Sequence, residues 1–312
     1  MMKRIFTGAV FVVLFLQSSA QQTPQFTQFV FNQFAHHPAV AGSRPCLDMR
    51  VGYRTQWVGF DGRPITMFAN AHGQIMGKNR KHLKTKHGIG GHVESDGAGP
   101  ISRTKIYLSY AYHIPVGRKT NLGMGLYAGF QQLRFNAGKV TLANPNDNSI
   151  PGSSVQFVWP DIAPGLFLYS EDYFVGFTMW QALRNKWKNV GDQSRLTHHF
   201  VLSGGKRFKY SDDLSWIPSA ALKFAPMSTP AIDLNLMMDF QNKMQVGLSY
   251  RNTDAICALF KLNFLKHFSM GYSFDFTTSR IRQSSSNTHE IILGISACPH
   301  RGKGITDCPA WN

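Results

Sequence analysis

In a chain of 312 residues, 43% hydrophobic and 13% aromatic, 33 Lys and Arg face 17 Asp and Glu, for a formal net charge of +16. Beyond the first twenty residues no stretch has the length of an apolar spanning helix, so helical membrane insertion is excluded and any insertion must be by strands. A charge this positive ordinarily points to nucleic acid, but an exported chain meets anionic lipid head groups or an acidic protein instead.

Export is written at the start of the chain. Residues 1–20 read as a signal peptide, with Lys3 and Arg4 as the basic opening, 5–16 as the apolar run and Ser18-Ser19-Ala20 as the small-residue cleavage site. The mature chain then begins near Gln21, outside the cytoplasm, with 31 basic residues against 17 acidic ones. Residues 21–47 form an N-terminal segment carrying Phe26, Phe29, Phe31 and Phe34, several Gln and no clean alternation. Loose aromatic side chains exposed to water are a liability, so this segment is expected against or inside the fold, leaning toward a filled lumen.

Residues 48–297 alternate apolar and polar side chains. Strands are expected at 48–57, 65–75, 87–95, 104–114, 121–131, 161–169, 173–181, 197–208 and 214–224, then four between 231 and 276, and a last at 290–297. The four are the clearest. In the first, Ile232, Leu234, Leu236, Met238 and Phe240 alternate with Asp233, Asn235 and Asp239; in the last, Phe268, Met270, Tyr272, Phe274 and Phe276 alternate with Ser269, Ser273 and Asp275. A soluble antiparallel sheet gives the same period. The large aromatic apolar face and the charges opposite it favour an all-β transmembrane antiparallel β-barrel, and the count of fourteen is even, as such barrels require. Asp233, Asn235, Asp239, Arg251, Lys261 and Asp275 are then expected in the lumen. Trp57, Trp159, Trp180 and Trp187, with Tyr107, Tyr127, Tyr169 and Tyr250, are expected in the aromatic girdles.

The connectors fit an outer membrane with both termini periplasmic. Those at 115–120, 170–172, 209–213, 241–243 and 265–266 are short, and the three longest, 133–160, 182–196 and 277–289, fall on the other side. One periplasmic connector is enlarged and cationic. Lys78, Arg80, Lys81, Lys84 and Lys86 lie within nine residues, either a solvated turn near anionic lipid or a docking point for an acidic partner.

Residues 298–312 add a C-terminal extension. Cys298 and Cys308 flank a short loop rich in Gly and Pro, so a local disulfide is expected there, while the pairing of Cys46 and Cys257 cannot be deduced. Cys298, His300 and Cys308 match no zinc spacing. Catalytic signatures are missing as well: no GxSxG, HExxH or Walker A is present, and His113 and Ser109 share a strand face without an acid. The expectation is a non-enzyme with no cofactor, no metal site and no nucleic-acid partner.

Several segments together resemble the PorP/SprF family of type IX secretion outer-membrane proteins. They are Gln25-Phe26-Thr27-Gln28-Phe29, Pro38-Ala39-Val40-Ala41-Gly42-Ser43, and Tyr53-Arg54-Thr55-Gln56-Trp57-Val58-Gly59-Phe60-Asp61-Gly62, which is close to the family's YRxQWVGFDG. Gly99-Pro100-Ile101-Ser102-Arg103-Thr104, Pro160-Asp161-Ile162-Ala163-Pro164-Gly165-Leu166, Gly247-Leu248-Ser249-Tyr250-Arg251 and His289-Glu290-Ile291-Ile292-Leu293-Gly294 continue the match in order. The resemblance implies a role in the secretion and gliding machinery. Its partners would be the periplasmic ring lipoprotein and its partner subunit, or the C-terminal domain of a secreted cargo or adhesin, with outer-membrane lipids around the wall. Arg54, Gln56, Trp57, Gly59, Asp61 and Gly62 form the family-motif turn, for which structural and binding roles are both open. The extension after 297 and the heavy basic connector depart from the family pattern. The competing expectation is a porin-like channel for small solutes.

Overall fold

The computed structural model describes residues 24–75, 85–140, 154–186 and 195–298, apart from 227, 253, 266 and 284. The signal peptide at 1–20 and most of the extension at 298–312 lie outside the described residues. The chain forms β1 (Leu47–Thr55), β2 (Ile65–Gln74), β3 (Lys86–Ala98), β4 (Ile101–Pro115), β5 (Asn121–Phe135), β6 (Val155–Tyr169), β7 (Tyr173–Trp180) and β8 (His199–Lys206). There follow β9 (Phe208–Lys209), β10 (Leu214–Phe224), β11 (Ala231–Phe240), β12 (Met244–Arg251), β13 (Ala255–Phe264), β14 (Phe268–Thr277) and β15 (Thr288–Ala297). Every pairing is antiparallel, and β1 closes on β15 with Leu47 opposite Ala297 and Thr55 opposite His289. β9 continues β8 in one register on β10, with Gly205 opposite Ser219 and Phe208 opposite Trp216; the break lies beside Pro218, a residue without an N–H. The wall is therefore a closed barrel of fourteen strands.

Burial separates this barrel from a soluble sheet. The apolar face is the exposed one: Leu108 is 74% and Leu248 64% exposed, whereas Asp233 is 1% exposed and Asn235, Asp239, Arg251, Lys261 and Asp275 are all buried. Water would reverse that preference, and a bilayer rewards it.

Strand ends define two rims. The near rim carries Cys46, Ala297 and the tight connectors, among them the turn at Gln241 and Asn242, whose φ values of 53° and 54° give the mirror-image hairpin that suits strand twist. The far rim carries the longer connectors. β5 and β6 extend further toward it than the alternation suggests, pairing from Asn121–Tyr169 to Phe135–Val155, so the expected loop at 133–160 is shorter. Arg103, Gln131 and Asp161 sit on polar inner faces there, which interrupts the apolar signal without interrupting the ladder.

A barrel this wide leaves a lumen that wall side chains alone do not fill. Residues 24–46 fill it, and Phe29, Val30, Phe31, Phe34, Ala39, Val40 and Ala41 are all buried. They pack against Tyr107, Ala111, Tyr127, Ala163, Phe167, Tyr169, Phe174 and Trp180 in one apolar cluster. Four of the expected girdle residues, Tyr107, Tyr127, Tyr169 and Trp180, thus belong to the lumen core, and Trp159 is buried inward with Leu133 and Leu196. Their parity along the strands points them inward, where the inserted segment needs apolar partners. Tyr250 faces outward as expected, and Trp187 lies outside the described residues.

The expected Cys298–Cys308 disulfide is not the one formed. Cys298 bonds Cys46, because the β1–β15 register that pairs Leu47 with Ala297 brings 46 opposite 298 one step on. Cys308 lies outside the described residues, and Cys257 is buried and free.

Candidate functional site

The described part of the inserted segment runs from Thr27, near the far-rim ends of the strands, to Cys46 at the near rim. Near the far rim its Thr27 meets four ionised side chains of the wall. The Thr27 hydroxyl donates to Asp275 Oδ2 (2.7 Å) and accepts from Arg54 Nη1 (2.9 Å) and Arg251 Nη2 (3.2 Å). Its N–H donates to Glu290 Oε2 (2.9 Å), the Gln28 N–H to Glu290 Oε1 (3.2 Å), and the Gln28 side-chain amide to the Glu290 carbonyl (3.0 Å). Arg54 also bridges Asp275 and Glu290, each at 2.9 Å, and Arg251 reaches Asp233 at 2.7 Å, which Lys223 meets at 2.9 Å. Three cations and three carboxylates so balance one another, the condition on which buried charge is tolerated. Strand order assembles this cage: Arg54, Arg251, Asp275 and Asp233 stand near the far ends of β1, β12, β14 and β11, each on the inward phase of its strand.

Lower down, the segment lies in a groove of wall glycines. A Cβ at Gly88 or Gly125 would collide with the Ala41 carbonyl or with Ala39 Cα, and one at Gly123 would sit 2.7 Å from the Ala39 carbonyl. Polar contacts fix the same stretch. His37 bonds Thr178 Oγ1 at 2.8 Å and Ser203 Oγ at 2.7 Å through its two ring nitrogens. Ser109 Oγ donates to the Pro38 carbonyl (3.0 Å), and His113 Nε2 meets the Ala41 carbonyl (2.7 Å). Burial holds His37 down at about 3 and lowers His36 well below the usual imidazole value, with Lys223 adding to the latter effect.

The residues singled out from sequence are dispersed. Arg54 points into the cage, whereas Gln56 to Gly62 form a far-rim turn. The Gln56 N–H donates to the Pro64 carbonyl, the Trp57 N–H to Thr288 Oγ1 (3.1 Å), and the Gly99 N–H to the Gly62 carbonyl. Trp57 (φ 51°), Gly59 (φ 90°) and Gly62 (φ 70°) take the left-handed backbone this turn requires, and Asp61 is exposed. The turn is braced by its neighbouring connectors, with Val58 and Ser286–Asn287 exchanging backbone hydrogen bonds. Lys86 opens β3 at the near rim, and Lys78, Arg80, Lys81 and Lys84 lie outside the described residues. Thr27, Gln28, Lys223, Glu290 and the glycine row were missed, although the inward phase of β15 marks Glu290 once the barrel is accepted.

The sequence matches the profile of a family described as type IX secretion system membrane protein PorP/SprF over residues 18–295. No curated protein matches it. Among solved structures it is similar to a FadL homologue of Pseudomonas aeruginosa, with 12% identity, 90% of this chain and 95% of that chain covered, and a TM-score of 0.48. It is also similar to the CymD monoaromatic hydrocarbon channel, with 11% identity, 89% and 94% covered, and a TM-score of 0.49. Acinetobacter baumannii Omp33 follows at 10% identity, 82% and 99% covered, and a TM-score of 0.43.

Proposed function

The chain belongs to the PorP/SprF family of type IX secretion system membrane proteins, and from that premise we propose that this outer-membrane barrel is a non-catalytic docking component. It binds periplasmic ring subunits at its near rim or retains the C-terminal domain of a secreted protein at its far rim. The filled lumen carries this reading: a barrel stoppered by its own residues 24–46 over the full depth of the wall offers its rims, not a conduit. Short turns on the near rim and longer connectors on the far rim support a periplasmic near rim. The Cys46–Cys298 end of the chain is then periplasmic. Both termini on that side remains part of the proposal, residues 1–23 lying outside the described residues.

Strand alternation puts the basic connector, Lys78 to Lys86, on the near rim, where it would steer an acidic partner. Purification from detergent-extracted membranes after mild crosslinking tests the proposal. Ring subunits, or one large secreted protein, are the expected stoichiometric partners; recovery of neither would overturn it. Reversing Lys78, Arg80, Lys81 and Lys84 to Glu is expected to reduce recovery of a ring partner while the barrel stays folded, and undiminished recovery would remove the connector from the interface.

A further inference from the structure

The outer face of the wall carries a recess beside the near rim. Ala71 and Gly73 on β2 and Gly91 on β3 stand on the outward phase of their strands, with Ala71 opposite Gly91 and Gly73 opposite Ile89. Their missing side chains leave a recess of about 1030 Å³, bounded by Leu47 on β1, by Ile75 and Ile89, and by Leu108 on β4. Residues 24–44 take no part in its lining, so it opens to the bilayer and not to the filled lumen. Gly88 and Gly125 are held to glycine by the inserted segment, but Gly91 is not. It takes ordinary strand backbone, and a Cβ placed on it would meet no neighbouring strand closer than the Tyr107 carbonyl at 3.8 Å. What glycine provides there is room.

The rimward end of the recess is polar. His87 lies one outward step beyond Ile89, bonds the Tyr110 hydroxyl through Nδ1 at 2.6 Å, and has the Tyr112 ring 5.0 Å away. Tyrosines so placed mark the level of the head groups. The chain leaves this edge at Ile75, whose N–H donates to the His87 carbonyl (2.8 Å), and returns at Lys86. Between those two residues the sequence carries Lys78, Arg80, Lys81 and Lys84. No residue of the connector is further than five extended residues, ~18 Å, from one of its two ends. A basic cluster beside a spanning wall draws anionic head groups.

The chemistry of the recess selects its occupant. β1 to β4 spend their backbone groups on one another here, so no strand can be added. A peptide laid across the recess would carry N–H and C=O groups that hydrocarbon cannot pair. An acyl chain carries none. We propose that the recess over Ala71, Gly73 and Gly91 binds one phospholipid with an anionic head group. Its acyl chain lies on the three small residues and its phosphate sits at the His87–Tyr110 edge. The site belongs to the wall and stands or falls independently of the docking reading.

The test titrates phosphatidylglycerol and phosphatidylcholine of identical chains onto delipidated full-length protein in detergent, with bound lipid counted by native mass spectrometry. Wild type is expected to take up one phosphatidylglycerol saturably and to bind phosphatidylcholine about tenfold more weakly. Gly91→Leu fills the recess, and exclusion of two or so methylenes is expected to weaken phosphatidylglycerol about tenfold. Ala71→Leu fills it from β2 and takes its place if that variant does not fold. Gly204→Leu, on the outward phase of β8 and away from the recess, is expected to leave the affinity unchanged. Unchanged affinity with the recess filled, or an equal loss in Gly204→Leu, would overturn the site. Phosphatidylcholine bound as tightly as phosphatidylglycerol would overturn it as well. So would a lipid-free dimer that Gly91→Leu breaks, which would make the recess an interface between copies of this chain.

Discussion

Arg54 joins the wall to its contents: one guanidinium meets Asp275 and Glu290 on the neighbouring strands and the hydroxyl of Thr27 in the lumen. Removing such a partner leaves two carboxylates buried together, so Arg54→Met is expected to cost about 3–5 kcal/mol. Gel mobility without prior boiling, followed against temperature, reads this as an earlier loss of the folded band; an unchanged transition would mean the cage adds nothing to stability. His37 supplies a pH dependence of known sign. Its seated imidazole titrates at about 3 against an ordinary 6.5, so the released state binds the proton more readily. Seating is fully favoured above pH 6.5 and weakens by about 1.4 kcal/mol per pH unit below it. Hydrogen exchange of residues 34–43 between pH 7 and pH 5 should show protection falling with acid, and His37→Gln should flatten the slope. An equal slope in the variant assigns the effect to another group.

At the scale of elements, the groove depends on glycine where β3 and β5 pass the inserted segment. Gly125→Val places its side chain against Ala39, so the lower half is expected to become protease-sensitive while the barrel still migrates as folded. Continued protection would show that the wall gives way instead. The same contact explains what was legible in the sequence. Alternation within one strand is a local signal, and it located the β11–β14 strands and the inward charges Asp233, Arg251 and Asp275. Pro38-Ala39-Val40-Ala41-Gly42-Ser43 was visible as a motif but not as a fitted plug, because the glycines that admit it lie on strands far along the chain. Cys46–Cys298 was hidden for a related reason: its geometry comes from the closing β1–β15 ladder, whereas Cys298 and Cys308 are neighbours only in sequence. Tyr107, Tyr127 and Trp180 depart from the aromatic-girdle rule, which holds for side chains facing lipid and fails for those that receive the plug.

For the whole molecule, the balance between a filled lumen and a wide wall decides whether solutes pass. Fourteen strands enclose more space than their own side chains occupy, and residues 24–46 take up that space along the depth of the barrel. Phe29, Phe34 and Ala39 to Ala41 stand in the apolar cluster that crosses the lumen. Wild-type protein in a planar bilayer is accordingly expected to give no stable ohmic conductance. Deleting residues 24–43, with the signal peptide and the Cys46–Cys298 closure retained, is expected to open a persistent pore. Only the pairing of wild type with deletion is decisive, since a silent wild type alone is also what a failed insertion looks like. A stable pore in wild type would restore the porin-like reading and place docking second. A silent deletion variant whose folded band survives would mean that the wall collapses inward, and that the inserted segment props the barrel open as well as closing it.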